Sequence, residues 1–169
     1  MLFFTGDTHF GDTRVLRVDR RPFRSVAEHD EALIGYWNDT VGPEDEVWHL
    51  GDFTRGSRKS RADVLLSALN GRKHLIIGNN DDDATVSASG WTSTRHYAEM
   101  TIDGKLLILC HYPFRTWNQM GKGSINLHGH SHGRLKSVPR QHDVGVDAWD
   151  FRPVTLDTLL LGRRARMSA

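Results

Sequence analysis

The amino-acid sequence predicts an α/β fold with two mixed β-sheets, and three observations carry that expectation. Short apolar runs ending in Gly or Asp recur along the chain: LFFTGD at 2–7, EVWHLGD at 46–52, KHLIIGN at 73–79, KLLILCH at 105–111, SINLHGH at 124–130 and DVGVDAW at 143–149. Near-continuous apolar character in runs this short suits strands buried on both faces. Helical signatures separate the first of these runs, which is the pattern of βαβ units and predicts parallel pairing in the first half. A turn signature joins two of the later runs, which predicts antiparallel pairing in the second half.

Taken in order, the strand at 2–7 is followed by Ser25 and Glu28, spaced as a capping box, and then by Val26, Leu33, Ile34, Trp37 and Val41 on one helical face. After the strand at 46–52, Ser60 and Asp63 repeat that signature before Leu65, Leu66 and Leu69. In the next run Leu75 to Ile77 read as a buried strand and Gly78 as a turn. Asn79, Asn80, Asp81, Asp82 and Asp83 then follow without a break, and the last two are expected to form a solvated turn. Asp103-Gly104, between YAEMTI and KLLILC, is a hairpin signal. No repeat or linker interrupts the chain, so residues 1–161 are expected to form one domain, and GRRARMSA at 162–169 a flexible basic tail.

A chain of 169 residues with 38% hydrophobic content can bury one real core. Twenty-two Lys and Arg against 21 Asp and Glu leave a net charge of +1, so no bulk field draws the chain to nucleic acid or membrane. The single Cys110 has no partner for an internal disulfide, and no apolar run approaches the roughly 20 residues that span a bilayer. Both features lead us to expect a cytoplasmic protein. Ten His are many for a domain of this size, and their positions carry the functional reading.

Polar residues concentrate just past the predicted strand ends: Asp7 and His9, Asp52, Asn79 and Asp81, His111, then His130 and His132. In open α/β sheets the carboxyl ends of strands converge on one crevice, so residues far apart in sequence meet there. Taken singly, each has an ordinary explanation. An Asp after a strand caps a helix, an Asn forms a turn, and a His on a strand is a hydrogen-bonded core residue. Two features resist those explanations jointly. Asp7-Thr8-His9 and His130-Ser131-His132 each place two potential ligands two residues apart, beside a Gly that lets the backbone turn tightly. Oxygen donors combined with imidazole nitrogens, without thiolate, suit a borderline divalent ion such as Mn, Fe, Zn or Ni.

The ordered set GDTH, GDF, GNND, the His of CHYP, and GHSH resembles that of the calcineurin-like metallophosphoesterases, across essentially the whole chain. HFGD, RPF, LGDF and VGVDAWDFRPV are most similar to the small single-domain bacterial and phage members. The resemblance implies a four-layer α/β/β/α sandwich with two mixed sheets. It also implies a dinuclear metal-dependent phosphoesterase, with Mn the first choice and Fe, Zn or Ni as alternatives. Asp7, His9 and His132 would hold one ion, Asn79, His111 and His130 the other, and Asp52 would bridge them. Two such ions supply hydroxide at neutral pH and clamp the phosphoryl oxygens.

The sequence departs from the family at Asn80, where many members carry a His that helps bind phosphate or protonate the leaving group, held by the following acid, here Asp81. An Asn amide donates a hydrogen bond but releases no proton near neutral pH. This favours phosphodiesters or activated monoesters, with a small phosphate ester, a nucleotide or a short oligonucleotide as the expected substrate. A second departure is Asp12, where the resemblance leads us to expect His; an acid there would repel phosphate or contact solvent.

Arg55, three residues past Asp52, is the better candidate for a phosphate contact, and Arg14 lies nearest the first motif. The remaining Arg17, Arg20, Arg21 and Arg24 read as a solvated face or a clamp for nearby acids. Arg115 and Trp117 follow His111 and could border a substrate ring, although a loop Trp is as often a packing anchor. His128 reads as an orienting neighbour of the ligands, His49, His74 and His96 as structural, and His29 as helix surface. A non-catalytic metal-binding scaffold on the same fold is the competing reading, and it expects degraded ligand sets; here every ligand position is filled. A nuclease with added capping domains would need more length and charge than this chain has.

Overall fold

In the computed structural model residues 1–55, 59–136 and 138–162 are described. Strands β1 (Leu2–Thr5), β2 (Glu46–His49), β3 (Arg72–Ile76) and β4 (Trp91–Arg95) run parallel in one sheet, which β9 (Val154–Thr155) joins antiparallel to give the order β4-β3-β2-β1-β9. The second sheet has the order β5-β6-β7-β8, from β5 (Tyr97–Ile102), β6 (Lys105–Cys110), β7 (Ile125–His128) and β8 (Gln141–Asp143). Its first pair is the expected hairpin, with Ile102 opposite Lys105 and positive φ at Asp103 (49°) and Gly104 (74°), the backbone of a primed turn. The other two pairings of this sheet are parallel.

Side-chain alternation along the central strands builds the layers. Phe3, Val47 and Leu75 point to the helical side, where they pack with Leu33 and Trp37 of α2 (Val26–Thr40) and Leu65 and Leu66 of α3 (Lys59–Ala68). Their neighbours Phe4, Trp48 and Ile76 point the other way, onto Leu107, Leu109, Ile125 and Leu127 of the second sheet. Each such side chain removed from water contributes about 1.5–3 kcal/mol, so these two interfaces hold the sandwich together. On the far face of the second sheet lies the segment 112–124 with the 3-10 turn Met120–Lys122, anchored by Phe114 and by the buried Trp117, whose Nε1 donates to Ser124 O. Trp117 is therefore a packing anchor. The short helices α1 (Arg14–Val18), α4 (Asp83–Val86) and α5 (Leu156–Leu161) complete the described chain, and no described helix is long and apolar enough to cross a membrane.

Several local expectations hold and others are corrected. Ser25 caps α2 by accepting from Glu28 N. Ser60 lies within α3, which includes Lys59 before it, and Asp63 accepts from Ser89 N; of the basic tail expected at 162–169, residues 163–169 lie outside the described residues. The run at 143–149 is no continuous strand: β8 ends at Asp143 and Val146–Ala148 form a 3-10 turn, which leaves Gly145 free to bridge Gly6 at the end of β1. Asp82 is no solvated turn residue, since its carboxylate accepts from Thr85 N and caps α4. His29 is not on the helix surface; it is fully buried, between the Arg21 guanidinium and Asp30.

Candidate metal centre

Strands β1, β2 and β3 run parallel in one sheet and β6 and β7 in the other, and the residues singled out from the sequence follow the carboxyl ends of these five strands. Asp7, His9 and His132 each offer one donor atom, all within 4.8 Å of one another, and Asp52, His111 and His130 form a second such group. Asn79 joins the second group through Oδ1, 3.0 Å from His111 Nε2. Asp52 faces both groups, with Oδ2 3.4 Å from His9 Nε2 and Oδ1 3.6 Å from His111 Nε2.

The backbone is shaped around this convergence. Asp7 (φ 54°), His9 (50°), Asp52 (58°), His130 (66°) and His132 (50°) all adopt the left-handed region, which costs about 1–3 kcal/mol for each such residue and persists only where the surroundings impose it. Close approach adds to the demand. A Cβ on Gly51, itself at φ +93°, would come within 2.4 Å of His111 Nδ1, and one on Gly78 within 2.4 Å of Asp52 Oδ1.

Interactions behind the donors orient them. The His111 Nδ1–H donates to Leu50 O at 2.8 Å, leaving the Nε2 lone pair facing the site. The His132 Nδ1–H donates to Asp147 Oδ2 at 2.8 Å, and Asp147 also receives Nε and Nη2 of Arg21. The Arg21 side chain is fully buried and donates further to Asp7 O and Thr8 O, so it pins the loop that carries Asp7 and His9. Asp143 accepts from Ser131 Oγ, Gly133 N and Gly145 N, which fixes the turn bearing His130 and His132.

Electrostatics show what the donor set lacks. Burial pushes the Asp7 carboxyl well above the usual carboxylate range, and its Oδ2 has no hydrogen-bond partner among the described residues. Burial also lowers His9 to about 4, and among the described residues neither of its ring nitrogens makes a hydrogen bond. His111 is likewise lowered by burial; with its Nδ1–H given to Leu50 O, its Nε2 faces Asn79 Oδ1, a second acceptor, at 3.0 Å and His130 Nδ1 at 3.2 Å. Buried acceptors without donors are costly, and divalent cations are the groups that satisfy carboxylate, amide oxygen and imidazole together. The residues present therefore fit the expected ions.

Other expected site residues are placed differently. Asn80 donates from N and Nδ2 to the two oxygens of Asp52, at 2.8 and 2.7 Å. Asp81 does not hold the Asn80 side chain; its carboxylate receives Asp52 N, Phe53 N and Gly78 N, each at 2.8 Å, and so locks the loops after β2 and β3 together. Burial raises Asp81 to about 6. Asp12 neither meets solvent nor stands alone: it is buried and paired with Arg14 at 2.6 Å, with Arg55 3.6 Å away. His128 is buried and bonds Gly129 O, with no hydrogen bond to a candidate ligand. Arg21 and Asp147 were not expected in the site. A mixed run of Arg and an Asp within VGVDAW carry no local signal, because their contact spans 126 positions.

The fold and the donor set define a two-sheet α/β sandwich with a candidate metal centre at its strand ends. The chain belongs to the family of the Gene 66 proteins of the Mycobacterium phages D29 and L5. It is 34% identical to the first over 179 aligned positions, covering 88% of each chain, and 31% identical to the second, covering 87% of this chain and 86% of the relative. No family model matches the chain. A solved protein of unknown function, AQ665 from Aquifex aeolicus, shares the fold, with a TM-score of 0.75 and 22% identity over 91% of this chain and 94% of that one. An archaeal phosphodiesterase and the E. coli phosphoesterase YfcE overlay at TM-scores of only 0.44 and 0.42.

Proposed function

We propose that this protein is a dinuclear metal-dependent phosphoesterase, with Asp7, His9 and His132 holding one divalent ion, Asn79, His111 and His130 the other, and Asp52 between them. The observation that carries the reading is the convergence of these donors at five strand ends, where Asp7, His9, Asp52 and His111 are buried and, among the described residues, Asp7 Oδ2 and both His9 nitrogens make no hydrogen bond. Divalent ions at these positions, Mn first among them, supply an activated water and polarise phosphoryl oxygens. The protein contributes orientation. Leu50 O and Asp147 fix the imidazoles of His111 and His132, and Arg21 and Asp143 hold the two loops that carry donors. Arg55 supplies a phosphate contact from the rim. Asn80 offers its amide as a hydrogen-bond donor but no proton, so leaving groups that depart as anions are favoured, which supports phosphodiesters or activated monoesters.

The test is hydrolysis of an activated aryl phosphodiester by purified protein supplied with Mn. Asp52→Asn removes the shared charge and is expected to reduce kcat/KM by at least about 100-fold, the scale of losing one main electrostatic element of a site. Full activity in that variant, or no hydrolysis by wild type with any divalent metal, overturns the proposal.

A further inference from the structure

We propose, resting on that reading of the metal centre, that Asp12 holds Arg14 and Arg55 as an anion subsite beside the centre, and that this subsite takes a leaving group that is itself a phosphate. Asp12 is 2% exposed. Its Oδ1 accepts from the backbone N of Arg14 at 2.9 Å and from Nε at 3.0 Å, its Oδ2 accepts from Nη2 at 2.6 Å, and Arg55 Nη1 stands 3.6 Å from the same oxygen. One carboxylate thus faces two guanidinium groups, which leaves one positive charge in excess. Both Arg side chains are 47% exposed, so the outer part of each fork faces solvent while the inner part is held. Among the described residues Arg14 Nη1 makes no hydrogen bond.

The pair stands at a defined remove from the metal centre. Arg14 Nη2 lies 3.4 Å from Asn80 Oδ1, and Asn80 Nδ2 donates to Asp52 Oδ2 at 2.7 Å. A phosphoryl group over the donors meets Asn80 first, and the guanidinium pair meets whatever that group is attached to. Asn80 has no proton to give, so the leaving group departs with its electron pair and its charge. A phosphate does this without protonation, and the always-charged, planar forks of Arg match its oxygens. In the resulting hydrolysis water oxygen bonds to phosphorus and the P–O bond to the leaving phosphate breaks. That phosphate keeps the electron pair beside Arg14 and Arg55, and the proton of the water passes to solvent.

A purely structural role would have the trio tie the loop after β1 to the loop after β2. That tie already exists in the backbone, through the Phe10–Thr54 bridge and the bond from Arg55 N to Phe10 O at 2.9 Å. Asp12 is therefore a positioning residue for the two Arg side chains.

The experiment is calorimetric binding of inorganic pyrophosphate and orthophosphate to the metal-free full chain. Pyrophosphate is expected to bind more tightly than orthophosphate. Arg14→Gln and Arg55→Gln are each expected to weaken pyrophosphate by about tenfold or more, the worth of one charge-assisted hydrogen bond. Asp12→Asn should weaken it too, although both guanidinium groups remain, and Mn binding by the Arg variants should stay at the wild-type value. In the metal-loaded protein, the preference in kcat/KM for a phosphoanhydride over an aryl phosphodiester should fall in the same variants, mainly through KM. Equal affinity of wild type for the two anions, or Arg variants that bind pyrophosphate like wild type, overturns the proposal. Wild-type hydrolysis of the aryl diester reports separately on the metal centre, because that substrate carries no second phosphate.

Discussion

Asn80 directs its backbone N–H and one side-chain N–H at Asp52, the carboxylate that faces both donor groups, and has no titratable proton, so its influence on the reaction passes through hydrogen bonding and position and not through proton transfer. A His at 80 could donate to the same carboxylate and also release a proton to a departing alkoxide. Asn80→His is therefore expected to raise the ratio of monoester to diester kcat/KM by about tenfold or more, given that a well-placed general acid contributes about 10²–10⁴-fold. Kinetics on one unactivated monoester and one diester measure the ratio, and an unchanged ratio removes the leaving-group account of this residue. The candidate ligands were legible in the sequence because each sits at or just past the end of an apolar run, and Asp7, Asp52, Asn79, His130 and His132 also lie beside a Gly. Arg21 and Asp147 were not, since a buried Arg in a stretch with four other Arg is indistinguishable from a solvated one until folding supplies Asp147 from the far end of the chain.

The same division holds for the elements. Strands that are buried on both faces announce themselves by composition, as β1, β2, β3, β6 and β7 do. Strand β4 went unread because WTSTR is an edge strand of half-buried and exposed residues with no apolar run to mark it. The turn at 146–148 resembled a strand because Val144, Val146 and Ala148 are all buried although the backbone between them bends. His49, at the end of β2, shows what such an element costs the protein in acid. It is fully buried between Trp37 and Phe53, bonded to Thr8 Oγ1 at 2.9 Å, and burial lowers it to about 3. The unfolded chain takes up the proton first as pH falls below about 6.5, so this contribution to stability is complete above that pH and is lost progressively toward pH 3. At pH 5 the loss amounts to about 2 kcal/mol for one such group. Denaturant unfolding of the metal-free protein at pH 7 and pH 5 is expected to show a difference that shrinks by about this amount in His49→Gln. An equal difference in variant and wild type means that His49 is not held neutral.

At the scale of the whole molecule the candidate centre lies across the seam between the two sheets. Asp7, His9, Asp52 and Asn79 follow strands of the five-stranded sheet, whereas His111, His130 and His132 follow strands of the four-stranded one. The seam's apolar core holds the sheets together without help at this edge, where the protein instead concentrates left-handed backbone and unpartnered acceptors. Ions bound there would offset that cost, and because the donors come from both sheets, their binding free energy would become folding free energy. Mn at 100 times its Kd is expected to stabilise the protein by about 2.7 kcal/mol, a thermal midpoint higher by roughly 5–10 °C for a chain of this size, and a chelator should reverse the shift. Asp52→Asn should lose most of the response, because Asp52 is the donor that serves both groups. The Asp7 carboxyl, which burial pushes well above its usual range, retains its proton to higher pH than an exposed carboxylate. Metal binding has to displace that proton, so the apparent Mn affinity should rise with pH until Asp7 has ionised, and calorimetry in buffers of different ionisation enthalpy should detect the release. A thermal midpoint indifferent to both Mn and chelator would leave the strained strand ends without the ions they are shaped to hold.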